Sequence, residues 1–513
     1  MAEDRPLPDF SQSRAKPVTK AGSVCDLQRM PDQPAARGDA RPARVVVIGG
    51  GFSGTMTAVN LARLADDPLE ITIVNERTPP ARGVAYRRRR PEYLLNVAAR
   101  NMSAFPDDPG HFLRWVSDRP EFEAVPQIDL RERFVPRQTY GDYLSSIAQK
   151  YLARPSDGTP VASRFVIGEA IDIEPQEFGC RVRLTDGTTL EADRVVLATG
   201  NETPASLAGA ESLAHHPGWI GDPWQAWEER LPPRDFSVVV LGTGLTAVDA
   251  IVTLRAIGWM GSIDAVSRHG WLPQAHFKGI EYPEFPPAGI DLTAVGLDAL
   301  VALVKYHCAA LHERNAHPAI IVDKLRPYTQ RIWASFSTEE RLAFAKDHAA
   351  RWNVFRHRIS PDLHAQLTHL QLTGQLQVRA AGIEKLVESS DQISVHLDDG
   401  TTLVGDVVLN ATGPSSRLTA SSSALLQNLL RRGLIHPDAT DMGISIADDH
   451  TVLTADGDRS AWLLAMGPLI RGTYWETVAV PELRGQAKRV AETALDRVHS
   501  DEEEGPELLE YML

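Results

Sequence analysis

Two short runs of apolar residues, each followed at once by a glycine-rich turn, form the strongest pattern in the chain. Val45–Ile48 precedes GGGFSG at 49–54, and Val238–Leu241 precedes GTGLTA at 242–247. After both turns, apolar positions recur at the spacing of a helix. Each run therefore predicts a buried strand, a tight turn and a helix.

A second pair of similar segments lies downstream of the two turns. These segments are RVRLTDGTTLEADRVVLATG at 181–200 and SVHLDDGTTLVGDVVLNATG at 394–413. In each, Asp-Gly supplies a hairpin turn, and an apolar strand then runs into Ala-Thr-Gly. Two matches in the same order indicate an internal duplication.

The predicted fold class is α/β, with two Rossmann-like three-layer dinucleotide-binding modules and a helical insertion. We assign the first, discontinuous module to 43–225 and 400–498, and the second to 226–399. A stretch rich in Leu, Ala, His and Arg at about 285–370 is expected to be the insertion.

The first turn fits the pattern GxGxxG with Gly49, Gly51 and Gly54, and Phe52 and Ser53 lie inside it. The glycines of this pattern allow a tight turn, approach of a pyrophosphate to the backbone, and close packing of helix on strand. Amides at the start of the helix then bind the anion. The turn therefore predicts a dinucleotide site.

An acidic residue follows at the distance where a ribose is bound. A second strand is predicted at 69–74, and Glu76 follows Gly54 by 22 residues, with Arg77 next to it. A carboxylate there can accept a hydrogen bond from a ribose hydroxyl. We assign FAD to this module and expect Thr199 and Gly200, at the end of its Ala-Thr-Gly strand, to contact it.

The second turn fits GxGxxA with Gly242 and Gly244, and Ala is an accepted third residue. The next strand leads to Ser267 and Arg268, and no acid stands where the ribose carboxylate would be. An arginine there can pair with a 2′-phosphate, which favours NADPH over NADH; an exposed, solvated arginine is the alternative. Two such modules in one chain suggest electron transfer from NADPH to FAD.

Composition limits the class of protein further. The 513 residues include 53 Lys and Arg against 67 Asp and Glu, a net charge of −14, which argues against nucleic-acid or membrane binding. The start of the chain has no signal-peptide pattern, so we expect a cytoplasmic protein with a disordered arm at 1–42 and an acidic tail at 499–513. The three cysteines form no close pair, which disfavours a dithiol reductase.

Several long strings carry a family resemblance. The strings are GVAYRRRRPEYLLNVAARNMSAFPDDPGHFLRW (83–115), RFVPRQTYGDYL (133–144), SRHGWLPQAH (267–276), RHRISP (356–361) and MGPLIRGTYWETVAVPELRGQA (466–487). Together they resemble a bacterial family of FAD/NAD(P)-binding proteins, from about residue 43 to 495. The better understood relatives are flavin-dependent N-monooxygenases that oxidise aspartate to nitrosuccinate, and class B flavin monooxygenases are more distantly similar.

The resemblance implies roles for particular residues. It places Asn96, Asn101 and Met102 against the flavin, as catalytic candidates, and Gly467-Pro468 at the pyrimidine or ribityl part of FAD. Turn or cap chemistry remains the alternative for the two amides, and core packing for the methionine. A helix predicted near Val480 would direct its dipole to the same place.

The cationic cluster Arg356, His357 and Arg358, together with Arg471, is the candidate substrate site. Guanidinium groups can clamp a carboxylate or the phosphate of NADP, whereas an interface salt-bridge cluster is the alternative. No metal-ligand spacing is found among the histidines.

The function expected from these patterns and the resemblance is NADPH-dependent N-hydroxylation of a small amine or amino acid, with molecular oxygen, through a flavin C4a-hydroperoxide. A flavin-dependent NAD(P)H reductase without oxygen insertion and a non-catalytic redox-sensing flavoprotein remain alternatives. A homodimer is left open.

Overall fold

A computed structural model describes residues 41–76, 81–153, 161–231, 235–277, 279, 281–389, 391–415 and 417–496. The predicted acidic tail, the predicted arm apart from its last two residues, and Arg77 lie outside the described residues.

The strands of the described chain are numbered in order. They are β1 (Ala43–Ile48), β2 (Leu69–Asn75), β3 (Val161–Ile167), β4 (Ala170–Pro175), β5 (Cys180–Leu184), β6 (Thr189–Ala192), β7 (Arg194–Leu197), β8 (Trp219–Ile220), β9 (Val238–Leu241), β10 (Ile263–Ser267), β11 (Leu376–Ala380), β12 (Ile383–Ser389), β13 (Gln392–Leu397), β14 (Thr402–Gly405), β15 (Val407–Asn410), β16 (Thr451–Leu453) and β17 (Arg459–Ala465).

The α-helices are numbered in the same way. They are α1 (Phe52–Leu64), α2 (Gly83–Tyr86), α3 (His111–Ser117), α4 (Gln127–Glu132), α5 (Arg137–Leu152), α6 (Leu245–Ala256), α7 (Gly296–Glu313), α8 (Ala319–Leu325), α9 (Thr329–Ser335), α10 (Thr338–Asp347), α11 (Ala349–Arg356), α12 (Pro361–Leu372), α13 (Ala424–Arg431) and α14 (Val480–Ala494).

The first sheet has the strand order β16-β17-β7-β1-β2-β3, and all neighbours are parallel except β16 and β17. On one face, α1, α5 and α14 cover β1, and on the other face the hairpin sheet β4-β5-β6 and α13 cover it. Burial on both faces explains the uninterrupted apolar run at 45–48.

The second sheet has the order β11-β10-β9-β15-β8 and is parallel throughout. Its faces are covered by α6 and α12 and by the antiparallel sheet β12-β13-β14. The hairpins of both modules turn at an Asp-Gly, where Gly187 and Gly400 have φ values of +86° and +83°. The predicted fold class and the duplication are confirmed.

The strand pairings correct the predicted module boundaries. The boundaries at 226 and 400 place β8, β14 and β15 in the first module. However, β8 and β15 pair within the second sheet, and β14 pairs with β13. The chain therefore returns to the first module only after β15. Sequence does not reveal this boundary, because the sheet that a parallel strand joins depends on distant pairing partners.

The predicted insertion is helical, but it is shorter than expected. Helices α7 to α11 enclose a separate apolar core around Trp333. In contrast, α12 packs on β11 and α6, with Leu363 and Leu367 buried in the second module. Ser360 begins this helix by accepting a hydrogen bond from the amide of Leu363 at 3.3 Å. The insertion therefore ends before Pro361.

Replacing Gly49 tests the tight contact behind the first turn. Gly49 has a φ of +109°, and a Cβ on it would lie 2.2 Å from the carbonyl oxygen of Ala198. We expect Gly49→Ala to lower the free energy of unfolding by about 3 kcal/mol or more, because strain and overlap add. Denaturant unfolding of the cofactor-free protein measures it.

The matched control is Gly187→Ala. Gly187 also has a positive φ, but a Cβ on it would meet nothing within 4 Å. Its expected cost is therefore the conformational strain alone, about 1 to 2 kcal/mol. Equal losses of stability in the two variants would show that the contact with Ala198 is unimportant.

Candidate functional site

The first glycine loop joins β1 to α1, and a side chain is excluded at Gly49 and at Gly54 for different reasons. Gly49 takes up a left-handed conformation against β7, as described above. Gly51 directly precedes α1. A Cβ on Gly54 would lie 1.8 Å from the carbonyl oxygen of Gly49, so this glycine lets the helix close on the turn.

The start of α1 is suited to an anion. Phe52 and Ser53 begin the helix with buried side chains, and its first turn contains no acidic residue. The free amides and the positive end of the helix dipole therefore favour a pyrophosphate at this loop. Glu76 lies exposed directly after β2, where this fold binds a ribose.

Two other predicted segments lie close to this loop. The pair Thr199-Gly200 follows Ala198, the residue after β7, which is the neighbour of β1. The pair Gly467-Pro468 follows β17, and a Cβ on Gly467 would lie 3.2 Å from Oγ of Ser53. Gly200, Pro468 and Arg471 line one cleft. The fold thus brings these predicted cofactor contacts together from three distant parts of the sequence.

The segment after Gly467 is anchored to α14. Oγ1 of Thr477 donates a hydrogen bond to the carbonyl oxygen of Gly467 at 3.0 Å, and the amide of Gly467 donates to Oε1 of Gln486 at 3.2 Å. The predicted helix near 480 is confirmed, with Pro481 in its first turn. These contacts hold the start of α14 near the first glycine loop.

Two buried polar groups beside the first loop are unsatisfied. Nη1 of Arg82 and the hydroxyl of Tyr140 have no hydrogen-bond partner among the described residues. The ring of Tyr140 stacks on Phe52 with 6.5 Å between centroids, and Arg82 precedes Gly83, which contacts Gly51. An unsatisfied buried group costs about 1 to 3 kcal/mol unless a ligand pairs with it. A polar nucleotide such as FAD therefore fits this loop.

Sequence reasoning did not select Arg82 or Tyr140. Neither belongs to the glycine motif, and the single available signal is that Tyr140 lies within the string RFVPRQTYGDYL. Tyr140 is near the loop because α5 packs against α1, and Arg82 because Gly83 contacts Gly51.

The three predicted catalytic residues differ in their surroundings. The carbonyl oxygen of Asn96 accepts a hydrogen bond from Nε2 of His276 at 2.9 Å. Oδ1 of Asn101 is buried without a partner in the described chain, so it keeps an acceptor for a ligand. Met102 lies in the apolar core of the first module. Their catalytic roles remain predictions.

The second glycine loop repeats the geometry of the first. Gly242 also has a φ of +109°, and a Cβ on it would lie 2.3 Å from the carbonyl oxygen of Ala411. Gly244 precedes α6, and a Cβ there would meet nothing within 4 Å. The loop surface is therefore open to a ligand.

The end of β10 lies beside this second loop. Oγ of Ser267 is 2.7 Å from Oγ1 of Thr243, which ties the strand end to the loop. Arg268 follows and is exposed. No carboxylate of the described residues lies within 4.0 Å of its guanidinium, so its charge is available to an anion.

The predicted arginine clamp is largely an ion-pair network. Nε of Arg356 lies 3.2 Å from Oε2 of Glu476, and its Nη2 lies 3.1 Å from Oε1 of Glu482. Nη2 of Arg358 contacts both oxygens of Asp323, at 2.8 and 2.9 Å. However, Nε and Nη1 of Arg358 are buried without a partner in the described chain. Arg356 thus joins the insertion to α14, whereas two buried donors of Arg358 pair with no described group.

The histidines of this region are not cationic at neutral pH. Burial, reinforced by Arg356, lowers the pKa of His357 to about 4. Burial and Arg358 likewise lower the pKa of His276 to about 4. The positive charge of the cluster therefore comes from its arginines alone.

Among the described residues, Arg471 has no ion-pair partner. Its Cζ lies 4.7 Å from the centroid of the Trp475 ring, and no described carboxylate lies within 4.0 Å of its nitrogens. Burial lowers its pKa, with Glu476 acting in the opposite direction. Because it lines the cleft beside Gly200 and Pro468, Arg471 is well placed to bind an anion near the first loop.

Neither a metal site nor a membrane-spanning helix is found among the described residues. Within the described ranges, no three His, Cys, Asp or Glu side chains gather as a metal site requires. In the same part of the chain, no helix is both long enough and apolar enough to cross a membrane.

Two glycine loops of one geometry, each at the carboxyl ends of parallel strands, define a protein with two dinucleotide-binding modules. Residues 46–202 match a protein family described as FAD-NAD(P)-binding. This match confirms the nucleotide-binding prediction for the first module. No curated protein is similar enough in sequence to match.

Solved structures of N-hydroxylating enzymes have the same fold. Ornithine hydroxylase from Pseudomonas aeruginosa superposes with a TM-score of 0.61 at 17% identity, over 90% of this chain and 100% of that chain. Ornithine N-hydroxylase from Kutzneria sp. 744 gives 0.60 at 16%, over 89% and 100%. A cadaverine monooxygenase from Erwinia amylovora gives 0.61 at 13%, over 90% and 98%. The fold implied by the family resemblance is confirmed.

The neutral His357 predicts a pH dependence of stability. Its pKa is lower in the folded protein than in the unfolded chain, so the unfolded state takes up the proton first as the pH falls from about 6.5 to 4. The stabilisation that the neutral His357 provides is complete above about pH 6.5 and is lost below about pH 4. We expect His357→Gln to reduce the difference in unfolding free energy between pH 7 and pH 5 by about 2 kcal/mol.

Denaturant titrations at the two pH values measure this effect. His369→Gln, at an exposed position on α12, is the control and should leave the difference unchanged. An unchanged difference in His357→Gln would mean that this histidine is already charged in the folded protein.

Proposed function

We propose that this protein is an NADPH-dependent flavoprotein monooxygenase that N-hydroxylates a small amine or amino acid. The observation that carries the proposal is the pair of matching glycine loops within one chain whose fold follows N-hydroxylating enzymes over about nine-tenths of its length. One of those structures, from Kutzneria, contains reduced FAD, NADP+ and L-ornithine.

The first module would hold FAD. The amides at the start of α1 would bind its pyrophosphate, and Glu76 its adenosine ribose. Arg82 and Tyr140 would pair their unsatisfied groups with it. When bound, FAD takes a hydride from the nicotinamide and activates molecular oxygen.

The second module would hold NADPH. Gly242 and Gly244 leave the loop open to the pyrophosphate, and the exposed Arg268 would pair with the 2′-phosphate. No acidic residue follows β10 at the place where NADH would need one. This arrangement supports NADPH as the hydride donor.

An amino-acid substrate would be bound through its carboxylate. Within the described ranges Arg471 has no carboxylate partner, and it lines the cleft beside Gly200 and Pro468. Arg358 keeps two buried donors that no described group pairs with. Arg356 is already neutralised by two glutamates and is less suited to the role. Asn101 would offer its buried Oδ1 to the flavin or to the substrate amine.

The test measures the visible absorbance of the flavin and identifies the reaction products. The protein is purified, its bound flavin is measured by visible absorbance, and NADPH is added without oxygen. Air is then admitted with candidate amines and amino acids. We expect NADPH to bleach the flavin, and an amine substrate to raise oxygen use and yield a hydroxylamine detected by mass spectrometry.

Other outcomes point to other classes of protein. Reduced flavin that persists in air would exclude a monooxygenase and leave a reductase or dehydrogenase. A flavin that NADPH does not reduce at all would favour a non-catalytic redox-sensing protein. Oxygen use that no amine or amino acid stimulates, without a hydroxylated product, would also contradict N-hydroxylation.

Arg268→Ala tests the choice of nicotinamide nucleotide. Loss of a charge-assisted contact to the 2′-phosphate should raise the Kd of NADPH about 10- to 100-fold and leave that of NADH nearly unchanged. Arg255→Ala, at an exposed position on α6 of the same module, controls for a general loss of positive charge. If both nucleotides weakened equally in Arg268→Ala, the phosphate assignment would be wrong.

A further inference from the structure

A buried ion pair joins the two modules. Nη1 of Arg137 lies 2.7 Å from Oδ2 of Asp249, and Nη2 lies 3.2 Å from Oδ1, so the contact is bidentate. Arg137 is the first residue of α5 in the first module, and Asp249 lies on α6 in the second. The two residues are 9% and 5% exposed, so water competes little for either charge.

Arg137 is itself fixed to the first module. Its Nε donates to the carbonyl oxygen of Leu94 at 3.0 Å, and its amide donates to that of Tyr93 at 2.7 Å. The hydroxyl of Tyr93 in turn contacts Oγ1 of Thr253 on α6 at 3.0 Å, and the Tyr93 ring lies in the apolar core of the second module. Two polar contacts one turn apart on α6 therefore hold it against the first module.

The ion pair connects α6, the helix that follows the second nucleotide loop, to α5, which packs on the helix after the first loop. On one side, α5 packs on α1, and Tyr140, one turn after Arg137, stacks on Phe52 at the first loop. On the other side, Asp249 lies five residues after Gly244, about 7.5 Å along the helix from the second loop. A change at this pair would therefore move one loop relative to the other.

Stability alone does not account for such a contact. Moving two charges out of water costs free energy that offsets much of their attraction, so a buried ion pair adds little net stability. Its bidentate geometry does restrict orientation, because both hydrogen bonds form only over a narrow range of angles. The contact is therefore suited to setting the angle between the modules.

We propose that Arg137 and Asp249 are positioning residues that set the orientation of the NADPH module for hydride transfer to the flavin. The inference rests on the proposed function. In the step concerned, a hydride moves from C4 of the dihydronicotinamide to N5 of the flavin, which oxidises the nicotinamide and reduces the flavin. Arg137 and Asp249 exchange no atom and contact neither reacting ring in this account.

The experiment compares two variants of the FAD-loaded protein. Asp249→Asn breaks the pair and leaves Arg137 buried with a weaker partner. The double variant Arg137→Met, Asp249→Leu removes both charges and should regain much of the lost melting temperature, since apolar pairs often replace buried ion pairs without loss. In both variants we expect anaerobic flavin reduction by NADPH to slow about 10²-fold, the effect of a small misplacement of reacting groups.

Two readouts and one control variant separate a positioning role from a role in stability alone. The Kd of NADP+ should stay within about twofold, because each glycine loop is intact. The double variant should also change the small-angle scattering curve, which reports the arrangement of the modules without any turnover. Asp172→Asn, which weakens the ion pairs of the buried Asp172 with the more exposed Arg183 and Arg432 inside the first module, should lower the melting temperature but not slow flavin reduction.

Defined results would overturn the inference. An unchanged rate of flavin reduction in Asp249→Asn would overturn it. A rate of flavin reduction that recovers together with the melting temperature in the double variant would overturn it as well. If NADPH does not reduce the wild-type flavin, the proposed function fails on its own. The scattering curves then decide the positioning role, and identical curves would reject it. If Asp249→Asn does not fold, the reduction rate and the scattering curve of the double variant decide.

Discussion

The organisation of this protein depends on a backbone contact that occurs twice. In each module, the first glycine of the loop lies against the carbonyl oxygen of the alanine that follows the neighbouring strand, Ala198 in one module and Ala411 in the other. No side chain fits between them, so the loop turns sharply and the next helix begins at the edge of the sheet. The segments that complete each candidate site follow neighbouring strands and therefore meet at the same edge.

The arginines of this protein include some that are paired with carboxylates and others that are available to ligands. The net charge of −14 repels anionic nucleotides at long range, so binding needs local positive charge. Most buried arginines do not supply it, because carboxylates such as Glu476, Glu482 and Asp249 already neutralise them. These pairs connect elements of the fold. Arg268 and Arg471 have no such partner in the described chain and remain available to ligands.

The helical insertion is tied to the first module as well as to the second. Trp333 and Trp352 donate hydrogen bonds to the carbonyl oxygen of Gly472 and to Oε1 of Glu476, and Arg356 adds its two ion pairs. These contacts fall on the segment between Gly467 and α14 and on the first turn of α14, where Glu482 lies. The insertion therefore holds in place the segment that reaches the first glycine loop. A substitution in the insertion can thus alter the candidate flavin site.

Sequence by itself determined the duplication, both glycine loops, the parallel sheets and the helix near Val480, because these features follow from local patterns of apolar residues, glycine and proline. It also selected Arg268, whose position after a strand is a local property. Tertiary structure decided the rest. The sheet that β8 and β15 join, the neutralisation of Arg356, the unsatisfied groups of Arg82 and Tyr140, and the pairing of Arg137 with Asp249 all depend on contacts between distant residues. Such contacts leave no local pattern, because each partner alone is compatible with an exposed surface position.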